Sequence, residues 1–171
     1  MKKLSIGLLF MSLSVVSHAE PKGVSVRISG FDGTKEVSLK PYGSSSCLSM
    51  KQTCVSIGAV WKSSLSDFVG LDLYVLRDFV IMSDLLINID GEIIRASRVL
   101  ETSDLKLTGL YKESFQRFII NKSDFDRILV AKKVWLKINR TDGSYIETYL
   151  IDSGKDTLSF KALHRFSTQI Q

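Results

Sequence analysis

The chain has 171 residues, 44% hydrophobic and 24% charged, with a formal charge of +5, two prolines and two cysteines. These values exclude a collagen, a disordered tail, a disulfide-dense mini-protein and a polytopic membrane protein, and they allow one ordinary globular domain.

Residues 1–19 read as a secretory signal peptide. Lys2 and Lys3 form a positive start, Leu4 to Val16 is mostly apolar, and Ser17-His18-Ala19 offers small residues at the two positions that a signal peptidase reads. The apolar run covers about 13 residues, short of the about 20 that a membrane span needs. Cleavage after Ala19 leaves Glu20 first, where a bacterial lipoprotein carries Cys. Residues 20–171 are then expected to form a single β-rich domain in the periplasm, or secreted further. Loss of Lys2 and Lys3 lowers its charge from +5 to +3, and His164 becomes its only histidine. So small an excess, with an export signal, gives no reason to expect nucleic acid.

Along the exported part the β signal dominates. Val24 to Ile28 and Glu36 to Lys40 alternate apolar and polar residues around a turn at Gly30 to Gly33. Pro41 to Ser46 reads as loop by composition. Cys47 and Cys54 follow, the only cysteines, and in an oxidising compartment they predict one structural disulfide. Closing so short a loop is worth roughly 2–3 kcal/mol. A redox pair would more often be Cys-x-x-Cys near a βαβ unit, and a metal site needs more ligands. Further strands are expected over Cys54 to Trp61 and Val69 to Leu76, the latter with Val69, Leu71, Leu73 and Val75 on one side and Asp72 and Tyr74 on the other.

Leu85 to Leu100 should be a hairpin about a type I′ turn at Asp90-Gly91, pairing Ile87 with Ile94 and Leu85 with Ala96. A second hairpin is centred on Asp142-Gly143. Its arms are Val134 to Asn139 and Tyr145 to Ile151, with Val134, Leu136 and Ile138 expected on one face with Tyr149 and Ile151, and Trp135, Ile146 and Leu150 on the other. Phe115 to Ile120 reads as a core strand, with a partner-binding edge strand as the alternative. Ser123 is the expected N-cap of a helix over Asp124 to Lys132 with Phe125, Ile128 and Leu129 on its apolar stripe. A last amphipathic helix is expected over Thr157 to Thr168, burying a ladder of Leu158, Ala162, Phe166 and Ile170 with Leu163 beside it. The class is mainly β: an antiparallel β-sandwich with a short helix and a C-terminal amphipathic helix, or alternatively an α+β roll with one curved sheet.

No assembled chemistry is legible. The single exported histidine, His164, lies on the flank of the final helix away from its ladder, and no Gly-x-Ser-x-Gly elbow exists. Asp90 and Asp142 are explained as turn residues, and Glu92 and Glu147 as strand-face charges. Asp32-Gly33 and Asp152-Ser153-Gly154 lack the repeated oxygen ligands of a calcium loop. No catalytic residue, cofactor site or metal site is therefore expected. Lys122, Arg127, Lys132, Lys133, Lys137 and Arg140 form a modest basic group, read as a solvated face or as a contact for an anionic envelope polymer or membrane surface.

Several stretches carry a resemblance: Cys47 to Trp61, Leu86 to Gly91, Ala131 to Ile138, and the ending from Asp152 to Phe166. Together they resemble a group of small uncharacterised exported proteins and lipoproteins of Gram-negative bacteria, over roughly residues 47–170. The final hairpin and helix are also similar to the invasion-associated locus B family of exported β-sandwich proteins. Neither resemblance contains a catalytic motif, and without a cysteine at position 20 the lipoproteins' anchor does not carry over. The expected function is that of a non-enzymatic exported protein binding a protein or cell-envelope component. The alternatives are an envelope hydrolase using paired carboxylates, and an inhibitor or immunity protein against an exported toxin.

Overall fold

The computed structural model describes residues 21–49, 52–99, 103–108 and 111–170. The expected leader over residues 1–19, Glu20, Leu100, and Met50 and Lys51 of the disulfide loop lie outside these. Among the described residues, eleven strands and two α-helices occur in the order β1 Val24–Ile28, β2 Lys35–Gly43, β3 Cys54–Lys62, β4 Phe68–Leu76, β5 Met82–Ile89, β6 Glu92–Arg98, β7 Asp104–Thr108, β8 Tyr111–Asn121, α1 Lys122–Val130, β9 Lys133–Arg140, β10 Tyr145–Asp152, β11 Lys155–Asp156 and α2 Leu158–Ser167. All described pairings are antiparallel, in the spatial order β1-β2-β3-β4-β8-β6-β5-β9-β10-β11, with β7 also on β8.

The mainly β class with a short helix and a C-terminal amphipathic helix is the one observed. Its strands make one curled sheet. The halves are joined where Ser97 and Arg98 of β6 pair with Ile119 and Phe118 of β8. One buried cluster draws Val37, Leu39, Ile57, Leu71 and Leu73 from the first half and Leu85, Ile87, Val134, Leu136 and Leu150 from the second. The two layers of a sandwich are thus continuous through β6. Helix α2 packs against β2, β3 and β10, and its Phe166 meets Phe125 of α1 edge-on at 5.9 Å.

A second junction is polar. The 3-10 turn Ser45–Leu48 after β2 carries Ser45 and Ser46, and Ser44 precedes it. The Thr148 hydroxyl of β10 lies 2.7 Å from that of Ser44 and 2.9 Å from that of Ser45, and it accepts the Ser46 N–H at 3.1 Å. Ser45 also accepts the Tyr149 N–H at 2.8 Å. Each hydroxyl in this group has a hydrogen-bond partner, which offsets the cost of taking it out of water. The Cys47–Cys54 disulfide is formed and closes the same loop.

Several local expectations change. Pro41 lies inside β2, because the β2–β3 register slips between Leu39 and Tyr42 and leaves a bulge that needs no proline N–H. Helix α1 starts at Lys122, directly off β8, and its Asn121 cap makes no side-chain bond. The Asp67 carbonyl takes the Lys122 N–H at 2.8 Å instead, so Ser123 is not the cap. In α2, Thr157 is the N-cap and accepts the Phe160 N–H. Leu158 is exposed and Phe160 is buried. An i, i+4 ladder drifts about 40° per step, so four rungs exceed the width of one buried stripe and the first falls off it. Phe115 to Ile120 belongs to β8, which has β4 on one side and β6 and β7 on the other. Its paired position overturns the edge-strand alternative.

Candidate binding face

The two hairpin turns look alike in sequence and differ in structure. At Asp90-Gly91 both residues have positive φ, 51° and 105°, and Ile89 pairs with Glu92 across a two-residue loop. The expected pairs Ile87–Ile94 and Leu85–Ala96 are present. At Asp142-Gly143 only Gly143 has positive φ, at 84°. The Arg140 N–H donates to the Ser144 carbonyl at 2.9 Å, so the loop holds three residues, Thr141 to Gly143. Asp142 stiffens it by accepting the Ser144 N–H at 2.9 Å and the Ser144 hydroxyl. These bonds hold the Asp142 carboxyl below its ordinary range.

One extra loop residue moves the register by one and turns the β10 side chains that precede the bulge to the opposite face. Ile146 pairs with Ile138 and Thr148 with Leu136, so Ile146, Thr148 and Leu150 face the core with Val134, Leu136 and Ile138. Tyr149 pairs with Trp135 on the outside. This reverses the expected placement of Tyr149, Ile146 and Leu150. Ile151 keeps its place beside Val134, because a bulge between Tyr149 and Ile151 restores the earlier phase.

The outer face of β6-β5-β9-β10 is consequently a mosaic of aromatic and charged groups. One row runs Ile93, Asn88, Trp135, Tyr149, and the next Arg95, Leu86, Lys137, Glu147. The Trp135 and Tyr149 rings lie 5.4 Å apart at 44°. Lys137 Nζ sits 4.1 Å above the Tyr145 ring and Lys133 Nζ 5.8 Å from the Trp135 ring. Both distances are within reach of cation–π attraction. Beside Trp135 is an open groove of about 370 Å³, with Leu86 and Ile93 as apolar walls and Asn88, Lys133, Lys137 and Glu147 as its polar edge. Ile93 is 64% exposed and Tyr145 56%. The buried Trp135 Nε1–H donates to no acceptor among the described residues. Asn88 uses its amide oxygen to hold the Gly91 N–H at 2.7 Å, so its amide N–H group remains to offer a ligand.

The basic group seen in the sequence divides. Lys122 pairs with Asp126, Arg127 with Glu92 and Asp124, and Arg140 lies near Asp78 and Asp142. The Glu92 bond raises the Arg127 pKa. Lys132, Lys133 and Lys137 have no carboxylate partner among the described residues, and two of the three belong to the groove. The remaining residues singled out in the sequence are dispersed. His164 is exposed on α2 and meets the Phe160 ring at 4.8 Å. Asp90 accepts the N–H groups of Lys132 and Lys133 and so ties the first hairpin turn to the start of β9. Glu147 alone of the acids considered lines the groove. Among the described residues no three His, Cys, Asp or Glu side chains converge to hold a metal ion.

A second hollow of about 180 Å³ lies on the outer face of β3-β4-β8, between Val60, Phe68, Val99 and Ile119. Its polar end is a bidentate pair in which Arg117 Nη2 donates to Asp72 Oδ2 at 2.7 Å and Arg117 Nε to Oδ1. Gly70 gives the Arg117 stem room: a Cβ there would meet Val60 Cγ1 at 2.8 Å and Arg117 Cδ at 3.3 Å. The bond to Asp72 raises the Arg117 pKa, and burial, then the Asp72 charge, raises that of Tyr74. This pair is explained by packing across the sheet and offers a ligand less than the aromatic face does.

Sequence reasoning missed Tyr149 and the Trp135 row because the signal that places them is the loop length, and Asp-Gly occurs in two- and three-residue hairpins alike. The chain matches no protein-family model, curated protein or solved structure.

Proposed function

We propose that the chain is a non-enzymatic periplasmic or secreted protein that binds a protein or cell-envelope component through the outer face of β6-β5-β9-β10. The observation that carries this reading is the Trp135–Tyr149 pair on the surface of paired strands, flanked by the ammonium groups of Lys133 and Lys137, which have no carboxylate partner among the described residues. Large aromatic groups beside polar ones make up the energetic centres of binding surfaces, and rigid strands hold them at little entropic cost. The leader-like residues 1–19 support export, as does a disulfide that fits an oxidising compartment. No described helix is long and apolar enough to cross a membrane. The dispersal of the acids and of His164 supports action by binding. The resemblance to small exported proteins of Gram-negative bacteria points the same way.

The test is co-sedimentation of the disulfide-bonded chain with purified envelope fragments. Trp135→Ala and Tyr149→Ala should each weaken binding by about tenfold or more, with melting curves confirming that the variants stay folded. Binding equal to wild type in both folded variants would remove this face from the function.

A further inference from the structure

We propose that the ligand of this face is an acidic saccharide, a chain of sugars bearing ring carboxylates; the inference rests on reading the face as a binding surface. Three features select that chemistry. The groove offers one half-buried aromatic plane and two aliphatic walls, Trp135, Leu86 and Ile93, against which the C–H face of a sugar ring can lie. Its polar edge mixes signs: the Asn88 amide and the Lys133 and Lys137 ammonium groups donate, and Glu147 accepts. Hydroxyl groups donate and accept at once, so a sugar can satisfy both kinds. A ligand carrying only anionic acceptors would meet the Glu147 carboxylate unpaired. The two lysines outnumber that carboxylate, and each lacks a carboxylate partner among the described residues, which favours a net negative ligand.

The spacing fits a repeating ligand. Lys133, Trp135 and Lys137 alternate along β9, so the two lysine positions lie about 13 Å apart with the indole between them. Successive sugars can therefore place carboxylates at both ends of a ring stacked at the centre. An acidic peptide is the weaker match. Peptides bind sheets most effectively by adding a strand at an open edge. Here β9 is flanked by β5 and β10, so its backbone groups are already engaged.

Tryptophan emission gives the readout. Trp61 is buried with its Nε1–H on the Ser66 carbonyl, whereas Trp135 borders the groove. Tetragalacturonate should change the emission with a Kd at or below about 1 mM. Maltotetraose and tetraglutamate should bind at least about tenfold more weakly. Trp135→Phe should abolish the emission change and keep part of the affinity measured by calorimetry. The double variant Lys133→Gln/Lys137→Gln should erase the preference for the acidic over the neutral sugar, and added salt should weaken wild-type binding. Tetraglutamate binding as tightly as tetragalacturonate, neutral sugar binding as tightly as acidic, or no saccharide binding overturns the proposal. If saccharides fail while envelope co-sedimentation still depends on Trp135, the ligand class falls and the face stands. If neither depends on Trp135, both fall.

Discussion

Thr148 is a polar residue at 2% exposure that joins the two ends of the curled sheet through Ser44, Ser45 and Ser46. Replacing it with Val keeps the shape and removes the oxygen, leaving the Ser46 N–H without its acceptor. Thr148→Val should therefore cost about 1–3 kcal/mol in urea unfolding; a loss below a few tenths would show that water replaces the threonine without penalty. Asp32 illustrates the opposite, an exposed residue with a defined local role. The Ser29 hydroxyl first, then the Thr34 N–H, lower its carboxyl pKa from 3.8 to about 2. Because the folded value is depressed, the turn gains stability from the carboxylate above the unfolded value and loses it as pH falls through about 2. NMR titration should find Asp32 protonating near the lower value, and Ser29→Ala should move it back up. A midpoint near 4 in the wild type would contradict the turn geometry. Phe31, 99% exposed at the tip of that turn, makes a convenient reporter of its opening.

At the scale of elements, the β9–β10 loop decides which face becomes the surface. Deleting Thr141 leaves Asp142-Gly143 as a two-residue connection inside the same Arg140–Ser144 pair, the form that Asp-Gly favours, and so keeps Ile146 opposite Ile138 and Thr148 opposite Leu136. The deletion should therefore leave cooperative unfolding and a native-like NMR spectrum. Loss of either would show that the three-residue loop itself holds this register. The turn and register of the first hairpin were legible, since Asp90-Gly91 takes the two-residue form that its composition favours, although β5 starts earlier, at Met82. The strands before it were legible as well, because strict alternation at Val69 to Val75 admits one reading. Pro41, the start of α1 and the facing of Leu158 were not. Each depends on a partner distant in sequence: Ala59 and Ile57 across the bulge, the Asp67 carbonyl, and the β2–β3 wall against which α2 lies.

For the whole molecule, the sheet is held in its curl by one apolar cluster and by closures at its margins. The disulfide contributes by restricting the unfolded chain. Replacing both Cys47 and Cys54 with Ala should cost about 2–3 kcal/mol, seen as a lower melting temperature with the same β-rich circular dichroism. Equal stability of the reduced and oxidised chains would assign the bridge no such role. Phe166 is fully buried where α2 meets α1 and the sheet. Phe166→Ala should lose about 3–5 kcal/mol, enough to threaten a domain whose total stability is about 5–15 kcal/mol. The same comparison separates fold from function: Trp135 is half-buried on the outer face, so its replacement should affect binding far more than unfolding.

Period-two alternation, turn composition and cysteine usage act between near neighbours, so the sequence by itself determined the β class, most strand positions, the first hairpin and the disulfide. It also marked the lysines at 133 and 137 as a basic group, without showing which of its six cations keep their charge uncompensated. Tertiary structure decided the curl, the position of β8 between three other strands, and the register of β10. The reason is that these depend on free-energy differences between alternative packings of the same local elements. Asp-Gly can close two loops that differ by one residue. Only the burial of Ile146, Thr148 and Leu150 against the shared core and the serine turn selects the longer loop, and with it the aromatic face that the sequence had divided between two sides.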